Sequence, residues 1–218
     1  MFPAGYAHDY PTVHRSKVYR AYNQAMCRTE FKTATEASFG LIQAIIDEHG
    51  PNVHLKDDNR SESLLSHVIT MTLPFYQRNE DEMKKTLDLI RYIIHAGASV
   101  SPGPLIGAAH IGDPMVLAEL LQYCDDPDDH IPEPENGYTA LCSVVVTGGY
   151  WLSRTTPKGG PVYQARLREC AKCIALLINH GADVQCMGSS TRSAWLECQD
   201  PDHPLRHLII PGAKSAHA

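Results

Sequence analysis

Twelve histidines in a chain of 218 residues invite an acid/base reading, because imidazole is the side chain whose proton moves near neutral pH. His67 and His110 stand out, set in the short apolar runs SLLSHVIT (63–70) and PLIGAAHIGD (104–113). His8 and His14, with Asp9 and Tyr10, lie in the N-terminal stretch. If that stretch folds across His67 and His110, a histidine general acid/base would sit in a semi-enclosed apolar cleft, the setting proton transfer needs. Such chemistry would be free of cofactors: isomerisation, cyclisation, dehydration or hydrolysis. The chain has no G-x-S-x-G elbow, Walker-type loop, H-E-x-x-H or dinucleotide fingerprint. Histidine also has a structural use. His49, His95 and His180 close helical runs, where imidazole can meet the last carbonyls and the negative end of the helix dipole.

Seven cysteines, at positions 27, 124, 142, 170, 173, 186 and 198, have no regular spacing. MFPAGYAHDYPTVHR at the N-terminus has neither the basic start nor the apolar stretch of a secretory signal. The expectation is therefore reduced thiols in a cytoplasmic or nuclear protein. Cys170 and Cys173 form a C-x-x-C pair inside QARLRECAKCIALLINHG, a helical pattern in which residues three apart share a face. Two small apolar side chains in a core are the expected outcome. A zinc site needs two more ligands, and no second C-x-x-C supplies them, so no metal is expected.

The segment DDPDDHIPEPENG (125–137) is rich in carboxylates but lacks the D-x-D-x-D-G spacing of a calcium loop. It reads as a solvated acidic finger that would suit a basic partner. Further on, Tyr150, Trp151 and Tyr163 lie among Arg154, Lys158, Arg166 and Arg168. Aromatics beside cations make a binding hot spot, or pin a loop to its own scaffold; both readings stay open.

These groups must be positioned by helices. LIQAIIDEHGPNV (41–53), LIRYIIHAGASV (89–100) and IALLINHGADV (174–184) are three versions of one pattern: an apolar helical run, histidine, glycine, a short step and valine. A glycine past the last turn can take the left-handed conformation that caps the final carbonyls. A second recurring element, PLIGAAHIGD and TALCSVVVTGG (139–149), places Leu105 and Leu141 36 residues apart, and SLLSHVIT fits the same place more loosely. A repeat near this length means stacked supersecondary units.

The runs LINHGADV, NGYTAL and PLIGAAHIGD resemble the ankyrin-repeat family, with Pro104, Leu105, Ala108, Ala109 and Gly112 at the family's usual places. The resemblance implies an all-α solenoid of about four helix pairs (16–56, 57–100, 101–134, 135–186) and a degenerate cap (187–212). An N-terminal extension (1–15) and a tail (213–218) flank it. The chain departs from the family's pattern in longer connections between paired helices near 71–81 and 147–164, which could wall one edge of the groove or be tolerated surface loops. His67 falls where the family prefers a small residue.

Partner contacts in ankyrin proteins come from projecting turns and from the exposed ends of first helices. Carried over, that selects Ile69, Thr70, His110, Ile111, Val146 and Thr147, with Asn136 and Tyr138 in the turn before the fourth repeat and Tyr150 and Trp151 in the insertion. These groove positions are apolar for a surface, which favours binding. A protein or peptide partner is the leading expectation; a small-molecule pocket using His67 and His110 is the rival. The formal net charge of −6 argues against a general nucleic-acid binder, and no apolar run reaches the roughly 18–20 residues that cross a bilayer. The 43% hydrophobic content is that of an ordinary folded chain.

Overall fold

The structure, a computed structural model, describes residues 12–14, 31–56, 61–71, 80–130, 137–148, 159–188 and 192–210. In chain order these form β1 (Thr12–His14), α1 (Phe31–His49), β2 (His54–Lys56), β3 (Ser61–Ser63), α2 (Leu64–Met71), α3 (Glu80–His95), α4 (Gly103–Ile111), α5 (Pro114–Leu121), α6 (Ala140–Val146), α7 (Pro161–Asn179) and α8 (Ala194–Glu197). A single 3-10 turn follows at Arg206–Leu208. Helices dominate, as expected for an all-α chain. The three short strands depart from that expectation: β1 pairs in parallel with β2, and β2 antiparallel with β3, Leu55 facing Glu62 in register. Three-residue strands are too short to carry a visible period-2 pattern.

The chain divides into two compact units, Met1–Val68 with Asn79–Ser99, and Ile69–Arg78 with Val100–Ala218. The division falls inside α2.

In the first unit α1 packs on α3. Ile42 and Ile45 of α1, and Ile90 and Ile93 of α3, are spaced three apart, so each pair shares a helical face, and all four are buried. The Phe39 and Tyr92 rings meet with centroids 5.0 Å apart. Asn52 then ties the two turns that end these helices: its Nδ2 donates to the Gly97 carbonyl at 3.0 Å, and its Oδ1 accepts from the Ser99 N–H at 2.8 Å.

In the second unit the helices form two rows. First helices lie side by side in the order α4, α6, α8; second helices α5 and α7 pack together, and each first helix packs on its own partner, α4 on α5 and α6 on α7. Helix starts are specified locally. Asp113 Oδ1 accepts from the N–H groups of Met115 and Val116 at 3.1 and 3.2 Å, with Pro114 at the first helical position of α5. Hydroxyls cap α6 and α8, Thr139 accepting from Cys142 N–H and Ser193 from Leu196 N–H, and in the first unit Ser63 likewise accepts from Ser66 N–H at α2. Leu105 and Leu141, the pair one repeat apart, are both fully buried.

A backbone tie recurs at the start of first helices. The Val53 carbonyl accepts from Leu64 N–H at 3.0 Å, Val100 from Leu105 at 3.1 Å, and Val184 from Trp195 at 2.9 Å. All three valines are buried. These are the valines that end the three matching sequence runs.

The helix ends also follow the sequence pattern. Gly97 and Gly181 have φ of 103° and 97°. Behind them, Gly97 and Ala98 N–H donate to the Ile94 and Ile93 carbonyls, and Gly181 and Ala182 N–H to Ile178 and Leu177. His180 adds a bond from Nδ1 to the Leu176 carbonyl at 2.8 Å, the structural histidine role expected there. One boundary differs from expectation. α7 begins at Pro161, so the last four residues of the expected 147–164 insertion are its first turn; proline is well suited to that position. Tyr163 is consequently a buried helix residue and not an exposed loop aromatic.

Because an L side chain in the left-handed region costs about 1–2 kcal/mol, Gly181→Ala is expected to lower unfolding stability by about that amount. The urea midpoint should fall at an unchanged slope. A variant as stable as the wild type would contradict the cap.

Candidate functional site

The strongest candidate surface is the C-terminal end of the first-helix row in the second unit. The terminal turns of α4 and α6 bring together His110 and Ile111 with Val146 and Thr147. His110 is exposed, while Ile111, Val146 and Thr147 are half-buried. His110 Nδ1 and Thr147 Oγ1 lie 3.2 Å apart and join the two helix ends. Part of the imidazole is shielded from water, which disfavours the charged ring and lowers the His110 pKa below its ordinary 6.5. The site therefore presents a neutral imidazole next to a hydroxyl at physiological pH, flanked by two aliphatic side chains.

The floor is set by small residues. A Cβ on Gly112 would lie 3.5 Å from Cys170 Sγ; one on Gly148 would lie 3.5 Å from the same sulfur and 2.4 Å from Leu205 Cδ1. Cys170, on α7, therefore fills the space behind both glycines. Cys173, one turn on, is also buried. Burial pushes the Cys170 thiol up to about 11 and raises Cys173 as well, which keeps both protonated. The C-x-x-C pair is core packing on a helix.

The other carried-over positions divide into several groups. Thr70 is exposed at the end of α2, close to Gly107 of α4. Ile69 is a correction: it is fully buried and cannot serve as a surface contact. On an eight-residue helix, Leu65 and Ile69 stand one turn apart on the buried face, and a shift of one residue turns the side chain by about 100°. Tyr138 is half-buried ahead of α6, its hydroxyl accepting from Arg192 Nη1 at 3.3 Å. Arg192 also reaches Glu197 of α8 at 3.4 Å. Asn136, Tyr150 and Trp151 lie outside the described residues, as do His8, Asp9 and Tyr10.

His67 is buried on α2 in the first unit, with Nδ1 against Glu62 Oε1 on β3. His110 belongs to the second unit. The described part of the N-terminal arm, Thr12–His14, is laid along β2 as a parallel strand, with His14 in register with Lys56.

The acidic finger is also corrected. Asp125 and Asp126 are exposed, but Asp128 and Asp129 are half-buried and bonded into the second unit. Asp129 Oδ2 accepts from the Ser101 hydroxyl at 3.0 Å, and Asp128 Oδ2 from the Asp183 N–H at 2.8 Å. Carboxylates take those places because backbone N–H and hydroxyl donors lie opposite them, and a polar donor facing the loop needs an acceptor.

One pair with catalytic composition was not singled out in the sequence. Cys198 Sγ lies 3.5 Å from His203 Nδ1, the arrangement of a thiol and its base. Its environment excludes that role. Cys198 is buried, and burial drives its thiol up to about 12. His203 Nδ1 also accepts from the Leu205 N–H at 3.2 Å, and burial lowers the ring's pKa. The pair knots the segment after α8 to the core. His203 and His207 further have the H-x-x-x-H spacing of a ligand pair. Among the described residues no group of three or more His, Cys, Asp or Glu side chains is placed to hold a metal ion, and no helix is long and apolar enough to cross a membrane.

His110 is expected to titrate with a midpoint below 6.5 when its ring protons are followed by NMR. Folding favours the neutral ring, so its contribution to stability is present above pH 6.5 and is lost as the pH falls through the lowered value. A midpoint at or above 6.5 would remove the shielding inferred for this surface.

No family model matches the chain, and no curated protein matches its sequence.

Proposed function

We propose that the chain is an ankyrin-type stack of helix pairs that acts as a protein- or peptide-interaction module, its partner held against the ends of the first helices. One observation carries this reading. The first helices α4, α6 and α8 pack in a row, and the ends of α4 and α6 present Ile111 and Val146 beside the hydrogen-bonded His110 and Thr147. Half-buried aliphatic side chains framed by hydrogen-bonding groups are the usual makings of a recognition surface. The rigid helix ends hold them with little entropy to lose on binding. Exposed Asp125 and Asp126, on the turn after α5, would favour a basic partner. The free thiols support a reducing compartment, cytoplasmic or nuclear.

A cofactor-free enzyme of the isomerase, cyclase, dehydratase or hydrolase type is the second reading. It is favoured by one specific feature: a neutral His110 imidazole beside the Thr147 hydroxyl has the protonation state of a general base.

The interaction reading is tested with peptides selected from a random library on the full chain. Ile111→Arg together with Val146→Arg should weaken their binding by about ten-fold or more with unchanged helicity, as truncation or charge at a hot spot does. Met115→Arg, on exposed α5 surface, should leave the affinity as it was. Equal affinity for the double variant and the wild type would contradict the proposed surface.

A further inference from the structure

The same turn-to-turn connection is made twice in this chain, once by an amide and once by a carboxyl group. In the first unit, Asn52 faces the turn Gly97-Ala98-Ser99-Val100 and makes two bonds to it, one accepted from Ser99 N–H and one donated to the Gly97 carbonyl. In the second unit, Asp128 faces the matching turn Gly181-Ala182-Asp183-Val184. Its Oδ2 accepts from Asp183 N–H at 2.8 Å, the counterpart of the Ser99 bond. Its Oδ1, the counterpart in chemical formula of the Asn52 amide nitrogen, is shut off from water and has no hydrogen-bond partner among the described residues. A carboxylate has no proton with which to make the second bond, whereas a carboxylic acid does.

We propose that Asp128 is a proton-operated clamp: when protonated, it donates from Oδ1 to the Gly181 carbonyl and holds the 125–130 turn by two bonds, and when ionised it holds by one. The proton comes from solvent and returns to it, and no other bond changes. The groups that face Asp128 are Asp126 on its own turn, whose Oδ1 accepts from Asp128 N–H at 2.9 Å, and Asp183 and Cys186 on the opposing turn. The two carboxylates repel an ionised Asp128.

Burial first, with the Asp126 and Asp183 charges adding to it, raises the Asp128 carboxyl from 3.8 to about 6, against the opposing pull of the Asp183 N–H. The folded chain thus binds this proton more tightly than the unfolded chain. The stability the proton adds is present below the free-chain value and is lost as pH rises through about 6. Acidification therefore stiffens the turn that carries the exposed Asp125 and Asp126, and neutral pH releases it. This inference concerns the turn alone and stands whether or not the first-helix ends bind a partner.

The test follows Asp128 carboxyl carbon shifts and the Asp183 amide in the full chain, wild type and Asp128→Asn, between pH 4.5 and 7.5. In the wild type the carboxyl should titrate near 6. The Asp183 amide, corrected for intrinsic rates, should exchange about ten-fold more slowly at the acid end, as a tighter clamp requires. Asp128→Asn, which supplies the missing donor at every pH, should be protected throughout and show no such step. A wild-type carboxyl titrating near 3.8, a flat Asp183 profile in the wild type, or the same step in Asp128→Asn would each overturn the clamp.

Discussion

A single backbone hydrogen bond, made three times, sets the geometry on which the rest depends. The first N–H groups of any helix have no partner within it. Here one of them, at Leu64, Leu105 and Trp195, is given to the carbonyl of a buried valine upstream, at Val53, Val100 and Val184. The valine side chain is held in the core, so its carbonyl is a fixed point, and the helix that follows must start at that point. Residues 54–63 intervene in the first case, 101–104 in the second and 185–194 in the third, yet the bond is unchanged. Loop length can vary because the tie sits at the loop's neck.

In the second unit the tie fixes the starts of α4 and α8, and α6 packs between them to complete the row that makes the candidate surface. His110 and Thr147 meet because α4 and α6 end side by side. Glycine suits 112 for its left-handed backbone, φ 68°, and 148 for the Leu205 side chain packed against it, while the Cys170 thiol lies behind both. Partial burial favours the neutral ring of His110, so it stands at the surface as a hydrogen-bonding group and not as a charge. Chemistry elsewhere in the unit is locked away: Cys142, Cys170, Cys173 and Cys198 are buried, and burial raises all four thiols.

Short-range chemistry was readable from the residues. Glycine after histidine ended α1 and followed the ends of α3 and α7, since a left-handed cap is specified by one residue and its neighbours. The correspondence of Leu105 and Leu141 was readable from their 36-residue spacing, and both are buried. The misreadings were of two kinds. On α2, with only two turns, the phase was ambiguous, and Ile69 went to the surface in the reading but into the core in the fold. At Pro161 a helix start was hidden in a Gly/Pro-rich run that reads as loop. The partners of Asp128 and of Ser101 were invisible for a different reason. Asp128 and Asp183 are 55 residues apart, and only the packed turns bring the carboxylate to that N–H. The pairing of β1 with β2 is likewise long-range, and three-residue strands leave no periodic trace.

The account rests on the valine ties, and through-hydrogen-bond scalar couplings between amide nitrogens and carbonyl carbons observe them directly in a perdeuterated sample of the full chain. Couplings from Leu64 to Val53, Leu105 to Val100 and Trp195 to Val184 are expected together in one spectrum. Leu105 and Trp195 amides coupled to other carbonyls, or exchanging as freely as unstructured chain, would contradict the recurring geometry from which the helix row is built.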